Sequence, residues 1–340
     1  MRTLQIEKLG RPLVEAERPD PEPGTGELTV RIDAAGICRS DVHYRSGSRA
    51  VPGLPLVPGH EVAGTIIAAG AGTEMSSGTR VCAHYLVTCG VCGRCRGGAE
   101  QFCEGVEMIG LDRQGGYAEA IVLPERNLFE IPDGMPIEVA AVMMCSTATA
   151  FHALHRGRIQ PGDRVAVLGA GGLGASAVRL AQVMGASEVL AVDVNPVKLE
   201  AAEAAGAVPV DGNGQVVDAL RAGGGVDVAL ELVGIADLMR VAVASLAPGG
   251  RAVAVGITDD EFGLDPFRDL VLKEGEIIGA ADHLSSEIAA LLAMVGRGDL
   301  DLSGIVTGSV RLDADAVNGA LDALESFGDE IRVVISRDPA

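Results

Sequence analysis

The glycine-rich stretch that follows residue 163 constrains the fold of this chain most strongly. Residues 164–170 have the composition of a buried strand and run directly into Gly169-Ala170-Gly171-Gly172-Leu173-Gly174, after which 175–184 follow a helical pattern. Glycines here permit a tight turn and let a pyrophosphate approach the free N–H groups at the start of the helix. The stretch therefore predicts a strand–turn–helix unit whose turn binds the phosphates of a dinucleotide.

The residues after this unit alternate between strand and helix. Helix 196–205 begins with proline, and further strand patterns lie at 188–194, 226–233, 251–257 and 277–281. Such alternation is typical of βαβ units that form a doubly wound parallel sheet. Residues 1–130 carry short β patterns separated by glycine and proline, which predict a mainly β region.

Asp193 ends the second strand of this alternation, nineteen residues after Gly174. A carboxylate there can accept hydrogen bonds from the adenosine ribose hydroxyls and would repel a 2′-phosphate. A glycine pattern alone is weak, since in a glycine-rich chain it can be a simple tight turn. The strand, the helix and Asp193 together favour dinucleotide binding and favour NAD over NADP.

Four of the seven cysteines lie within fifteen residues, in the pattern C-x2-C-x2-C-x7-C formed by Cys89, Cys92, Cys95 and Cys103. Four thiolates match a closed tetrahedral zinc site. An iron–sulfur cluster is the nearest alternative, but bacterial ferredoxin runs have an x3 gap followed by proline, and here an x7 gap is followed by Glu104. Disulfides are disfavoured by the odd cysteine count and by a chain without secreted character. The cluster predicts a structural zinc site.

Two other cysteines and one histidine raise the question of a second metal site. Cys38 and Cys145 lie far from the cluster, and His60 follows Gly59. Two cysteines and one histidine are a known ligand set for a catalytic zinc ion that keeps its fourth position open. Each residue also has a plainer interpretation, since a lone cysteine is usually a small buried hydrophobe and a lone histidine is more often structural. Spacing alone leaves the question open.

Composition and charge exclude several classes of function. Hydrophobic residues make up 48% of the chain, which indicates a globular protein, and the longest apolar runs are too short to span a bilayer. The formal net charge is −20, which disfavours binding to nucleic acid. Residues 1–8 lack the apolar core of a secretion signal, so we expect a cytoplasmic protein without a membrane partner.

Taken together, these motifs resemble the zinc-containing medium-chain alcohol dehydrogenase family over essentially the whole chain. The matching stretches are Gly36-Ile37-Cys38-Arg39-Ser40-Asp41-Val42-His43, Gly59-His60-Glu61, the four-cysteine cluster, Gly115-Gly116-Tyr117-Ala118-Glu119, Cys145 with Thr149, Gly169 to Gly174, and Asp193. The resemblance implies a GroES-like β-rich catalytic domain over 1–144, completed by 283–340, and a Rossmann NAD-binding domain over 145–282.

The resemblance also implies the chemistry of individual residues. Cys38, His60 and Cys145 would hold the catalytic zinc ion, making two zinc ions per chain with the structural one. Ser40 would take the alcohol proton and pass it through the nicotinamide ribose to His43 and solvent. Asp41 would orient His60, and Glu61 would lie behind the metal and replace water on it transiently. Tyr85 would line the substrate pocket.

Coenzyme contacts are implied in the same way. Arg39 and Arg332 would contact the pyrophosphate together with the turn formed by Gly169, Gly171, Gly172, Leu173 and Gly174. Thr149 would contact the nicotinamide, and Asp193 and Lys198 would contact the adenosine ribose.

The implied activity is the reversible oxidation of a primary or secondary alcohol to an aldehyde or ketone, with hydride transfer to NAD. The alternatives are a polyol, sugar, cyclic or CoA-linked alcohol dehydrogenase and a non-catalytic NAD-binding protein. Polyol dehydrogenases commonly carry an acidic residue where Cys145 stands, which argues against that alternative. Family members near this length are usually homotetramers and sometimes homodimers.

Replacing Asp193 by a small neutral residue such as alanine should relax the preference for NAD. The carboxylate that repels the 2′-phosphate would be gone, so kcat/KM with NADP should rise relative to kcat/KM with NAD. Initial rates with both coenzymes test this. An unsubstituted protein that already uses NADP better than NAD would show that Asp193 does not have this role.

Overall fold

The computed structural model describes residues 1–337 of the 340-residue chain. Its strands, in chain order, are β1 (Arg2–Gln5), β2 (Val14–Glu17), β3 (Glu27–Gly36), β4 (Glu61–Ala69), β5 (Arg80–Ala83), β6 (Leu86–Val87), β7 (Glu107–Met108), β8 (Ala120–Pro124), β9 (Leu128–Glu130), β10 (Arg164–Leu168), β11 (Glu188–Asp193), β12 (Val208–Asp211), β13 (Val226–Glu231), β14 (Leu246–Ala254), β15 (Glu276–Gly279), β16 (Gly308–Val310) and β17 (Val333–Ser336).

The α-helices are α1 (Arg39–Ser46), α2 (Gly93–Arg96), α3 (Ile137–Val142), α4 (Ala148–Arg156), α5 (Gly172–Val183), α6 (Pro196–Ala204), α7 (Val216–Arg221), α8 (Ala236–Ala244), α9 (Ser285–Gly296) and α10 (Ala314–Glu325). Short 3₁₀ turns lie at Glu100–Phe102, Glu125–Asn127 and Val271–Lys273, and π-helical turns at Met143–Thr147 and Pro266–Leu270.

The chain divides into two compact units. Among the described residues, the first contains Met1–Cys145, Leu284–Gly298 and 303–337, and the second contains Ser146–His283 and Asp299–Leu302. The first unit is built on a seven-stranded sheet in the order β16-β17-β3-β4-β5-β9, with β8 pairing to β3 outside this path. β3 is its longest strand, and it pairs antiparallel with β4, β8 and β17. The mainly β character predicted for the first 130 residues is confirmed.

The second unit is a six-stranded sheet in the order β12-β11-β10-β13-β14-β15, and every pair in it is parallel. Its central strands are buried and rich in valine, leucine and alanine, as expected of a parallel sheet covered on both faces. The predicted doubly wound fold is confirmed. Sequence patterns missed β12, α7 and α8; β12 has four residues and α7 has six, which are too few to show a clear periodicity.

A continuous helical segment spans Ile137–Arg156 and is long and apolar enough to cross a membrane by length and composition. However, 78% of its most apolar window is buried inside the structure, which is typical of a core helix. Its middle is the π-helical turn Met143–Thr147, which contains Cys145. Such turns occur frequently at functional sites.

The turn between β10 and α5 is closely packed at one glycine and open at another. An ideal Cβ atom on Gly174 would lie 1.9 Å from the Gly169 carbonyl oxygen, whereas a Cβ atom on Gly171 would meet nothing within 4 Å. Gly171 also has a φ angle of −71°, which any residue adopts.

We therefore expect Gly174→Ala to reduce the free energy of unfolding by about 1–3 kcal/mol, because the backbone must shift to admit the methyl group. Gly171→Ala should change it by less than about 0.5 kcal/mol. Urea denaturation of both variants without coenzyme tests this pair. Equal stability losses would contradict the packing described for the turn.

Candidate functional site

Three distant parts of the chain meet in the first unit. Cys38 precedes α1, His60 precedes β4, and Cys145 lies in the π-helical turn. Their ligand atoms and a carboxylate oxygen of Glu61 all lie within 4.8 Å of one another, and all four residues are buried. The structure thus brings together the three residues predicted to hold a catalytic metal, with Glu61 beside them.

The chemistry of this cluster fits a divalent cation. The adjacent Cys145 thiol lowers the pKa of Cys38 well below its usual value, while burial acts in the opposite direction. Burial lowers the pKa of His60, but the Cys38 and Asp41 anions outweigh it and raise that pKa well above its usual value. His60 Nδ1 faces Asp41 Oδ1 at 3.8 Å, and Glu61 Oε1 is buried without a hydrogen-bond partner. Such groups suit a zinc ion, which binds thiolate and imidazole.

Glu61 has a charged partner that the sequence patterns did not indicate. Its Oε2 accepts a hydrogen bond from Nη2 of Arg332, and both side chains are buried. Burial raises the pKa of Glu61 to about 7, although the Arg332 guanidinium lowers it. Arg332, which the family resemblance places at the pyrophosphate, therefore lies beside the group formed by Cys38, His60 and Cys145. Its positive charge compensates the buried Glu61 carboxylate. No sequence signal links two residues that lie 271 positions apart.

The other residues of the predicted catalytic motif lie on or beside α1. Ser40 Oγ is 3.9 Å from Cys38 Sγ, and His43 Nδ1 is 2.9 Å from Ser48 Oγ. The guanidinium of Arg39 donates to the Leu324 carbonyl oxygen at 3.1 Å and stacks on the Phe327 ring, 3.9 Å from its centroid.

Two aromatic residues border the cluster. Tyr85 is buried, and its ring lies edge-on to the His60 imidazole with the two centroids 5.1 Å apart. Tyr117 is fully buried and donates to Asp41 Oδ2 at 2.9 Å. Tyr117 belongs to the Gly115–Glu119 motif, but no sequence pattern indicates its bond to Asp41.

The four-cysteine cluster forms a second compact group of donors. The sulfur atoms of Cys89, Cys92, Cys95 and Cys103 lie within 4.8 Å of one another, and all four are free thiols. The Cys92 N–H donates to Cys89 Sγ at 3.3 Å. Backbone N–H groups of Val91 and Cys92 lower the pKa of Cys89 to about 6. Four thiols with backbone donors fit a closed metal site.

His84 lies close to the segment that carries the four-cysteine cluster, and it is next to Tyr85. Its Nε2 is 4.0 Å from Oε1 of Glu100, which lies between Cys95 and Cys103, and the same carboxylate oxygen accepts from the Ser285 N–H at 2.6 Å. Burial lowers the pKa of His84 to about 4.

The predicted nucleotide residues lie in the second unit, apart from Arg39 and Arg332. Gly169 has a φ angle of +99°, Gly171 caps α5, and Gly172, Leu173 and Gly174 form its first turn. Asp193 accepts from the Ala170 N–H at 2.8 Å and from the Asn195 N–H at 2.9 Å, so the strand end and the glycine turn are joined. Lys198 is buried in α6 and Thr149 in α4.

Comparisons with known proteins agree with this arrangement. Residues 24–133 match the family model of the alcohol dehydrogenase GroES-like domain, and residues 172–297 match that of the zinc-binding dehydrogenase domain. An alcohol dehydrogenase of Geobacillus stearothermophilus is 35% identical over 305 residues, which cover 88% of this chain and 90% of the relative. An L-threonine 3-dehydrogenase of Mesorhizobium japonicum is 31% identical over 325 residues, 91% of each chain.

A solved structure is similar over nearly the whole chain. It is that of a zinc-binding dehydrogenase from Sinorhizobium meliloti 1021 bound to NADP, with a TM-score of 0.90 and 27% identity over 98% of both chains.

The low pKa of His84 predicts a loss of stability in acid. In the unfolded chain histidine titrates near pH 6.5, whereas folded His84 takes up its proton only near pH 4. The unfolded state binds more protons between these values, so stability falls as the pH falls through this window, by on the order of 3 kcal/mol. In His84→Gln, the slope of unfolding free energy against pH should be shallower between pH 6.5 and 4 and unchanged between pH 7 and 8. Urea denaturation at each pH measures both slopes, and identical slopes in the acid range would refute the prediction.

Proposed function

Because the chain belongs to the zinc-containing medium-chain alcohol dehydrogenase family, we propose that it oxidises a primary or secondary alcohol reversibly to an aldehyde or ketone, with hydride transfer to NAD. The observation that carries the proposal is the convergence of the Cys38 and Cys145 thiols with the His60 imidazole. Two thiolates and a neutral imidazole balance the charge of a zinc ion and leave its fourth position open.

The chain's own residues supply the path for the proton. A bound zinc ion would supply Lewis acidity that favours loss of the alcohol proton, and bound NAD⁺ would accept the hydride. Ser40, next to Cys38, would accept that proton, and His43, further along α1, would release it to solvent. Burial and then Arg39 and Arg49 lower the pKa of His43, so its imidazole is neutral and can accept a proton at neutral pH.

Glu61 and Tyr85 have supporting roles in the proposal. Glu61 would offer the metal a further oxygen donor, and its pairing with Arg332 holds its carboxylate beside the proposed ligands. Tyr85, edge-on to His60, would form a wall of the substrate pocket.

We propose NAD as the coenzyme because the Asp193 carboxylate lies at the end of β11 and is oriented by two backbone N–H groups. It would accept from the adenosine ribose and repel a 2′-phosphate. The other proposed contacts are Arg39, Thr149, Gly169, Gly171, Gly172, Leu173, Gly174, Lys198 and Arg332. Since a similar structure contains NADP, both coenzymes belong in the assay.

A second candidate substrate class is a β-hydroxy amino acid, because a relative that is 31% identical is an L-threonine 3-dehydrogenase. This reaction is also the oxidation of a secondary alcohol, so it needs the same metal site. The deciding experiment is NADH formation at 340 nm with a panel of primary alcohols, secondary alcohols, polyols and L-threonine. Absence of turnover with every alcohol would favour a non-catalytic NAD-binding protein.

We further propose two zinc ions per chain, the second held by Cys89, Cys92, Cys95 and Cys103. The first unit would be the catalytic domain and the second the NAD-binding domain. The protein would be a cytoplasmic homotetramer or homodimer that acts on small molecules and binds neither nucleic acid nor membranes. Metal analysis per chain and analytical ultracentrifugation test these points.

Substitution of a proposed catalytic ligand should remove turnover and preserve the fold. We expect Cys38→Ser and His60→Ala to lower kcat by about a thousandfold or more, because metal-ion catalysis supplies several kcal/mol. Circular dichroism should remain that of the folded protein. Normal activity in metal-depleted protein would overturn the mechanism.

Cys95→Ser provides the matched control, because it removes one thiol from the other cluster. It should lower the melting temperature and remove one of the two metal ions per chain. The kcat per folded molecule should fall much less than in Cys38→Ser. A Cys95→Ser protein that is fully stable but inactive would mean that the two sites have been assigned the wrong way round.

A further inference from the structure

The Asp41 carboxylate joins the two chain segments that carry proposed metal ligands. Its Oδ2 accepts from the Cys38 N–H at 2.9 Å and from the Tyr117 hydroxyl at 2.9 Å, and its Oδ1 accepts from the Gly59 N–H at 3.1 Å. His60 Nδ1 lies 3.8 Å from the same Oδ1. Asp41 is 1% exposed, so these donors rather than water determine how its carboxylate is oriented.

Tyr117 is held in place independently of Asp41. Its N–H donates to the Pro58 carbonyl oxygen at 3.0 Å, and its carbonyl oxygen accepts from the Leu4 N–H at 2.8 Å. The ring lies against Gly59, where an ideal Cβ atom would be 2.4 Å from Tyr117 Cδ1. Gly59 has a φ angle of +92°, and its carbonyl oxygen accepts from the Gly116 N–H at 2.7 Å. The phenol is therefore a rigid donor that approaches the carboxylate from a separate loop.

We propose that Tyr117 is a positioning residue for the metal centre. Its hydroxyl holds the Asp41 carboxylate in one orientation, in which the carboxylate accepts from the Cys38 N–H and faces the His60 imidazole. The inference rests on the proposed function, since it takes Cys38 and His60 as metal ligands.

The physical reason is the directionality of a charge-assisted hydrogen bond. A hydroxyl that donates to a carboxylate forms a short, strong bond, and in a buried site no water replaces it when it is lost. Asp41 could then rotate and loosen its bonds to the Cys38 and Gly59 N–H groups. Outer hydrogen bonds of this kind typically change metal affinity 10- to 100-fold.

The test compares Tyr117→Phe with Tyr44→Phe. Tyr44 is also buried, but its hydroxyl donates to Met108 Sδ at 3.4 Å, so this control removes a buried phenol hydroxyl without touching Asp41. Stripped protein is reloaded with zinc or cobalt, and affinity is measured by competition with a chelator. Cobalt absorption separates the site with two thiols from the site with four.

We expect Tyr117→Phe to weaken metal binding at Cys38, His60 and Cys145 about tenfold and to alter the cobalt spectrum of that site. The four-cysteine site should be unchanged and serves as an internal reference. Tyr44→Phe should leave both sites unchanged. An unaltered affinity and cobalt spectrum in Tyr117→Phe would overturn the inference.

Asp41→Asn shows whether Tyr117 acts through Asp41. It also tests the role of the Asp41 carboxylate directly if Tyr117→Phe folds poorly. Asp41→Asn should weaken metal binding at least as much as Tyr117→Phe, and adding Tyr117→Phe to it should cost little more. Full additivity, or an unchanged affinity in Asp41→Asn, would overturn the inference. Failure of the unsubstituted protein to bind metal at Cys38 and His60 would overturn the proposed function itself.

Discussion

The pairing of β3 with its two neighbours at Gly36 is the constraint on which the rest of the site depends. Gly36 is opposite Glu61 on β4 and opposite Val334 on β17. An ideal Cβ atom on Gly36 would lie 1.8 Å from Glu61 Oε2, so a side chain here would displace the carboxylate. Because three strands end together at this glycine, Cys38, His60 and Arg332 are brought to one edge of the sheet from distant parts of the chain.

Buried charges at this edge stabilise one another. Arg332 partly offsets the cost of burying Glu61, and Cys38 and His60 each shift the pKa of the other towards its charged form. Removing one member of such a set leaves another charge uncompensated in a low-dielectric site. A zinc ion would take the place of protons on the thiols and the imidazole, so metal binding and proton release are coupled.

Sequence patterns predicted the local parts of the structure well, and the reason is physical. The strand over 164–170 is observed as Arg164–Leu168, and the helix begins at Gly172 rather than at residue 175, because the glycines that form the turn also form the first turn of α5. The four cysteines of the cluster at 89–103 are close in sequence, so a short loop and α2 suffice to bring them together. In contrast, β12 has only four residues and contains a proline, so its sequence shows no clear strand pattern.

The sequence by itself determined the parallel-sheet unit, the mainly β unit and the grouping of Cys89, Cys92, Cys95 and Cys103, because each depends on patterns that repeat or lie within a few residues. Spacing alone left open whether Cys38, His60 and Cys145 meet, although the family resemblance predicted it, and nothing in the sequence indicated the Glu61–Arg332 pair or the Tyr117–Asp41 bond. Only the tertiary structure decided these contacts. They depend on strand register and on the close approach of glycine backbones, which join residues that no local pattern connects.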